Sequence, residues 1–243
     1  MAERSAFLKD IRTALDASSA GERSASQFPA MFSQPDVSGI IAEINNRSAD
    51  DQQALLARFQ ESGTEIRLQV HCAADSAAAA AIIADIARDA EPEFGTDKQI
   101  IQHSGRECGA LNLAELLVGD EMTVHTVVPG DPDARDKTEA SFIGITVADW
   151  GIAESATVVQ ITEPGKARST SLVPSIHIAL LPIERLLADL SELQALLQNQ
   201  PPASSYVLIS GPSKTGDIES HIVYGAHGPK DMHVVVITGR KSV

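Results

Sequence analysis

Ser175-Ile176-His177-Ile178-Ala179-Leu180-Leu181-Pro182-Ile183-Glu184-Arg185-Leu186-Leu187-Ala188-Asp189-Leu190-Ser191-Glu192-Leu193-Gln194-Ala195-Leu196-Leu197 carries the two patterns that decide the fold class. Ile176 to Leu181 is apolar on both faces apart from His177, as in a strand of a sheet covered by helices on both sides. Behind it Ile183, Leu186, Leu187, Leu190, Leu193 and Leu197 recur at three- and four-residue steps, which predicts an amphipathic helix.

Working outward, the same two-faced apolar character marks Phe142 to Val147, Ala156 to Ile161, Tyr206 to Ser210 and His233 to Thr238, so the C-terminal half is expected to carry the sheet core. Upstream, a helical stripe at Leu55, Leu56 and Phe59 leads into a strand at Ile66 to Val70. An alanine-rich helix with Ile82, Ile83 and Ile86 then leads into Lys98 to Gln102. Helix then strand, twice over, reads as α/β. A short helix at Leu111 to Val118 and a strand at Thr123 to Val128 complete that half. At the amino end Phe7, Leu8, Ile11, Ala14 and Leu15 are spaced as a helix, and Ser18 to Gln34 reads as a loose linker. The expected organisation is an N-terminal helix and linker over residues 1–35 and one α/β domain over residues 36–243.

Composition narrows the function classes. With 33 acidic and 19 basic residues the formal charge is −14, a surface that repels a phosphate backbone, so nucleic acid is not an expected partner. The longest apolar run, Ala77 to Ala84, is mostly alanine and far short of a membrane span, and the charged opening residues do not read as a signal peptide. Cys72 and Cys108 are the only cysteines and form no CxxC, so no iron–sulfur cluster or zinc ribbon is expected on this chain alone. Two free thiols fit a reducing, cytoplasmic compartment.

Ligands of open α/β sheets bind beyond the carboxyl ends of strands, which draws attention to three loops. Thr146 to Thr157 brings Asp149 and Glu154, the hydroxyls of Ser155 and Thr157, and Trp150 into a dozen positions. A carboxylate pair can serve acid–base work and a lone Glu can attack an acyl group; equally, Asp149 can cap a turn, Trp150 pack and Glu154 face solvent. Ser210-Gly211-Pro212-Ser213-Lys214-Thr215-Gly216 is expected to lead into a helix near Asp217, where backbone N–H groups could hold an anion. It is not a P-loop, because Asp217-Ile218 stands where Lys and Ser/Thr belong. Tyr224 to His233 presents His227 and Gly228 in a Gly–Pro turn, and with His177 and Glu154 this makes a conceivable metal or acid–base set; equally, a His in such a turn can simply be hydrogen-bonded to backbone. No HxH or HxxxH spacing supports a metal, and none is expected.

Four blocks in order resemble the LUD domain of the lactate utilization protein C family. They are Gly144 to Ser155, Arg168 with Ser171 to Ile178, Ile209 to Glu219, and Gly225 to Pro229. The resemblance implies a three-layer α/β/α fold with a mostly parallel central sheet, similar to the methenyltetrahydrofolate synthetase and NagB/RpiA/CoA-transferase-like superfamily. It further implies a component of an L-lactate utilization system, oxidising lactate to pyruvate, whose iron–sulfur clusters sit in partner proteins. On that footing Glu154 and Asp149 are candidate catalytic groups. Thr146, Ser155, Thr157, Arg168, His177, Ser210, Gly211, Ser213, Thr215, His227 and Gly228 are candidate ligand contacts, with Arg168 the anion-binding group for a small carboxylate or a nucleotide. The alternatives are an acyl-CoA transferase-like or nucleotide-dependent ligase-like enzyme using Glu154, or a non-catalytic docking subunit. Two positions depart from the pattern. Ala156 replaces a usual turn glycine, although Ala tolerates positive φ less readily, and Gly216 replaces a common Ala. For a single site, all three loops must meet at one rim of the sheet.

Overall fold

The computed structural model of the chain describes residues 2–14, 36–93, 95–200, 205–216 and 222–239. The chain divides into residues 1–36 and 37–243. In the first unit helix α1 (Ala2–Ala14) has Phe7, Leu8 and Ile11 exposed, and the linker expected at Ser18 to Gln34 lies outside the described residues.

The second unit opens with helices α2 (Val37–Asn45) and α3 (Ala49–Glu65). α3 starts where it does because Ser48 and Asp51 form a reciprocal capping box, which satisfies two otherwise unpaired N–H groups. Strand β1 (Gln69–Ala73) follows, then α4 (Ser76–Asp89), capped by the Asp75 carboxylate accepting from the Ala78 N–H at 2.8 Å. The chain continues through β2 (Lys98–Gln102), α5 (Arg106–Gly109), α6 (Leu113–Leu116), β3 (Met122–Thr126), α7 (Ala134–Ala140) and β4 (Ile143–Val147). Next come β5 (Trp150–Ile152), β6 (Thr157–Ile161), α8 (Ser169–Leu172), β7 (Ile176–Pro182) and β8 (Leu186–Leu187). Helix α9 (Leu190–Gln198), β9 (Tyr206–Ile209), β10 (Lys214–Gly216), β11 (Ile222–Tyr224) and β12 (Asp231–Ile237) complete the order.

Six strands form the central sheet in the order β1-β12-β7-β4-β2-β3, every pair parallel. The α/β class and mostly parallel sheet expected from the sequence are what the chain adopts. On one face Ile143, Ile145, Ile178, Leu180 and Val235 pack against α4, α5 and α6 through Ala80, Ile83, Cys108 and Leu113. Each fully buried Ile, Leu or Val among them contributes about 1.5–3 kcal/mol. On the other face Ala179, Leu181, Val234 and Val236 meet Leu56 and Phe59 of α3 and Val158 of a second sheet.

That second sheet corrects the expected picture. The apolar runs at Ala156 to Ile161 and Tyr206 to Ser210 are not central strands: β6 and β9 pair antiparallel in a four-stranded sheet, β8-β5-β6-β9. Its inner strand β6 is buried on both sides, with Val158 toward the central sheet and Val159, beside Ile152 and Leu187, against Leu193 of α9, and so looks as apolar as a central strand, whereas the edge strand β9 leaves Tyr206 and Leu208 exposed. The helix expected from Ile183 is corrected too. Ile183–Arg185 is a single 3-10 turn and Leu186–Leu187 is strand, because the Asp189 carboxylate caps the N–H groups of Ser191 and Glu192 and so fixes the helix start at Leu190. Ile66 and Arg67 form a turn, with Arg67 at φ 61, and β1 begins only at Gln69. The helix expected near Asp217 falls on residues 217–221, outside the described residues; Lys214–Gly216 and Ile222–Tyr224 on either side pair as antiparallel strands.

Candidate functional site

The register places the candidate residues at different levels of the sheet. Asp231 of β12 lies beside Ile176 of β7, and Ile176 beside Ile143 of β4, so the turn at residues 225–229 sits at the amino edge. Asp149 lies two residues beyond Val147, the last residue of β4, and sits at the carboxyl edge. With about 3.3 Å of rise per residue, the two edges are about 16 Å apart. The three loops do not meet at one rim.

Four separate groupings result. The first is buried between the two sheets. Thr146 of β4 and His177 of β7 point to the same face, with Thr146 Oγ1 2.8 Å from His177 Nε2. Gln160 of β6 donates its amide to Thr146 Oγ1 and lies 3.4 Å from His177 Nε2. With the Thr146 hydroxyl and the Gln160 amide supplying donors, Nε2 is the acceptor and the ring proton resides on Nδ1, which is buried without a partner. Burial, with His103 and His233 nearby, pushes the imidazole down to about 3. A base that weak stays neutral at physiological pH and orients a ligand or a neighbouring hydroxyl rather than taking a proton.

Helix α8 covers this grouping. A Cβ on Gly144 would lie 1.8 Å from the Thr170 carbonyl oxygen and 3.0 Å from Pro174 Cγ, so only glycine lets the helix approach β4. Thr170 is fully buried and its Oγ1, like His177 Nδ1, has no partner. One unsatisfied polar atom is thus on the short helix itself, Thr170 Oγ1, and another, His177 Nδ1, belongs to the strand residue in register with Gly144, against which the helix packs. Arg168 is exposed at the start of α8, its carbonyl oxygen accepting from the Ser171 hydroxyl at 3.0 Å.

The second grouping is at the carboxyl edge. Asp149 accepts the Ile161 N–H at 2.6 Å through Oδ2 and pairs with Lys166 Nζ at 2.9 Å through Oδ1. Next to it lies His103, a residue the loop pattern did not single out. Its Nε2 lies 3.2 Å from the Ala167 carbonyl oxygen and its Nδ1 takes the Val147 N–H at 3.4 Å. Burial, opposed by that carbonyl bond, holds it at about 4. Its place directly after the apolar run of β2 was the available signal. Cys108 lies nearby, its thiol pushed up to about 12 by burial and Glu107, so it is inert as a nucleophile.

The third is a hydroxyl cluster: Thr157 Oγ1 lies 2.7 Å from both Ser155 Oγ and Ser210 Oγ. Between Ser155 and Thr157 the backbone turns through Ala156 at φ 46, ψ 44, so alanine adopts the left-handed conformation usually given to glycine. Glu154 stands apart from this cluster. It is exposed, 3.4 Å from Arg58 Nη2, and its carbonyl oxygen accepts from Ser62 of α3. The fourth grouping ties the amino-edge turn to the 210–216 loop. The Ser213 N–H donates to the Pro229 carbonyl at 2.8 Å, and Ser213 Oγ accepts from the His227 N–H at 3.3 Å. Gly228 lies against Ser213 and Leu172, His227 is exposed, and Thr215 pairs with Val223 in the β10–β11 hairpin. Gly211 has φ +80, and a Cβ there would lie 2.9 Å from the Ile66 carbonyl oxygen. Among the described residues no three His, Cys, Asp or Glu side chains are grouped to hold a metal ion, and no helix is long and apolar enough to cross a membrane.

The chain is similar to known proteins over this same region. The LUD domain model matches residues 56–237. Lactate utilization protein C of Halalkalibacterium halodurans is 38% identical over 110 residues, covering 43% of this chain and 48% of that one. The protein of that name from Exiguobacterium is 40% identical over 112 residues, covering 44% and 49%. The matched region thus spans about half the length of these relatives. A crystal structure of a DUF162 family protein from Deinococcus radiodurans superposes with a TM-score of 0.51 at 16% identity, over 76% of this chain and 98% of that one, and so shares the fold. With three quarters of its length matched by the domain model and all four sequence blocks inside that match, the chain belongs to the LUD domain family.

Proposed function

We propose that this chain is a cytoplasmic component of an L-lactate utilization system, working beside partner proteins that carry the iron–sulfur clusters while holding none itself. The observation that carries this reading is the 38–40% identity to proteins named lactate utilization protein C, over 110 and 112 residues. Its role is to bind a small carboxylate and position it for the partners. The exposed Arg168 guanidinium at the head of α8 supplies the anion contact, and the buried Thr146–Gln160–His177 grouping ties together the strands on which that helix rests. Glu154, half in water and paired with Arg58, lacks the desolvated setting that makes a carboxylate an acyl acceptor, which favours positioning over acyl transfer. Deleting the gene is expected to abolish growth on L-lactate as sole carbon source. Wild type and Glu154→Gln restore it, and Arg168→Ala restores it poorly. Normal growth of the deletion strain, with no second copy present, would reject the reading.

A further inference from the structure

Strand β9 ends the second sheet, and no further strand pairs with it among the described residues. The register tells which of its backbone groups are spent. Thr162 N–H donates to the Ser205 carbonyl at 3.0 Å, and this pair continues the β6–β9 register of Gln160 with Val207 and Val158 with Ile209. Those alternate pairs exchange the hydrogen bonds of the antiparallel ladder. The β6 residues between them point the other way: the Val159 carbonyl accepts the Asp149 N–H at 2.8 Å, and the Ile161 N–H donates to Asp149 Oδ2. In β9 it is then Tyr206 and Leu208 whose N–H and C=O groups face out of the sheet.

The side chains of the same two residues are 51% and 42% exposed. Edge strands are ordinarily blunted by a charge, a proline or a bulge; Ser205 to Ser210 has no charge and no proline, and its register with β6 is unbroken. Pro202 and Pro212 stand outside the run on either side and bound the length that can pair. The edge is also its own antiparallel complement. Rotation about Val207 sets Tyr206 opposite Leu208 of a second copy and Leu208 opposite its Tyr206, each as a hydrogen-bonded pair, so every outward group meets a partner. It also stacks an aromatic against an aliphatic side chain twice across the strands. The opposite edge of this sheet is the two-residue strand β8, which is buried, so the contact closes on itself and does not propagate. A strand recruited by opposite charge would need carboxylates here, and on a chain of formal charge −14 this edge carries none.

We propose that β9 pairs with β9 of a second copy about a two-fold axis through Val207, joining two four-stranded sheets into one of eight strands. The interface is small, which makes the dimer weak and concentration-dependent. It uses no residue of the proposed carboxylate site and is tested independently of growth on lactate.

Sedimentation equilibrium of the full chain tests this. A dimer is expected at about 100 µM chain, dissociating on dilution. It tightens as salt is raised, because screening relieves the repulsion between two copies of like charge. Leu208→Pro removes an outward N–H and leaves the ladder to β6 whole, and it weakens association at least tenfold. Should that variant not fold, Tyr206→Lys with Leu208→Lys, at exposed positions, does the same. Tyr206→Lys with Leu208→Glu sets opposite charges across the axis and associates at least fivefold more tightly than the double-lysine variant. A chain monomeric at that concentration, a dimer that loosens with salt, undiminished association of a folded Leu208→Pro variant, or equal association of the two double variants would each overturn the proposal.

Discussion

His177 and Glu154 lie in neighbouring blocks of the same sequence resemblance, yet the fold treats them in opposite ways. His177 is sealed between two sheets, bonded through Nε2 and unsatisfied at Nδ1. Glu154 sits on a 3-10 turn against α3, its side chain 56% exposed and paired with an equally wet Arg58. A polar group buried in this way is held by its neighbours and is costly to disturb, whereas an exposed ion pair contributes little. Chemical type alone ranks the carboxylate first as a functional group; burial ranks the imidazole first.

The sharpest way to break this contrast is acid. Burial holds His177 at about 3 and His103 and His233 at about 4, against about 6.5 when unfolded. His233 is further engaged with His71, Nδ1 to Nε2, at 3.1 Å. Between these limits the unfolded chain binds more protons than the folded one, so stability is full above pH 6.5 and falls as the pH drops toward 4. Three such groups remove about 3–4 kcal/mol per pH unit within that window. Urea midpoints measured from pH 7.5 to 4.5 should show this slope, and His177→Gln should reduce it by about a third. A flat profile would mean that the imidazoles are not buried neutral.

Gly144→Val should cost about 3 kcal/mol, because its Cβ cannot occupy the space of the Thr170 carbonyl and α8 must lift. Loss of the Arg168-dependent function alongside the fall in thermal midpoint would connect the helix to the site. Lys166→Met is expected to cost about 2 kcal/mol, since it leaves the Asp149 carboxylate, 15% exposed, with the Ile161 N–H but without its cation. Glu154→Gln should change stability by less than about 0.5 kcal/mol. A larger effect of Glu154→Gln than of Lys166→Met would reverse the comparison.

The fold class was legible because β7 and α4 carry their periods openly: Ile178 and Leu180 line one face, Ala179 and Leu181 the other, and Ile82, Ile83 and Ile86 form a stripe. The second sheet was not legible, because β6 is apolar on both faces for the same reason central strands are, burial on two sides. Gln160 was a signal within it, a lone amide in a run of Val and Ile, and it proved to be the partner of Thr146. The helix expected from Ile183 failed because a leucine stripe fits a 3-10 turn and short strand as well as a helix. A single cap, Asp189, decided between them. The site was legible only in pieces. Thr146 with His177, Ser155 with Thr157 and Ser210, and Ser213 with His227 each come together, but His103 and Lys166 lay outside the chosen motifs.

By itself the sequence determined which segments become strands and helices across most of the domain, because hydrophobic period is a local property of consecutive residues. It also determined the family, because four ordered blocks are too long to coincide by chance. Only the tertiary structure decided which strands share a sheet, which edge each loop occupies, and which polar groups lose contact with water. Those outcomes depend on register between strands as far as 164 positions apart, Gln69 of β1 beside His233 of β12, and strand pairing at that separation leaves no periodic trace in the chain.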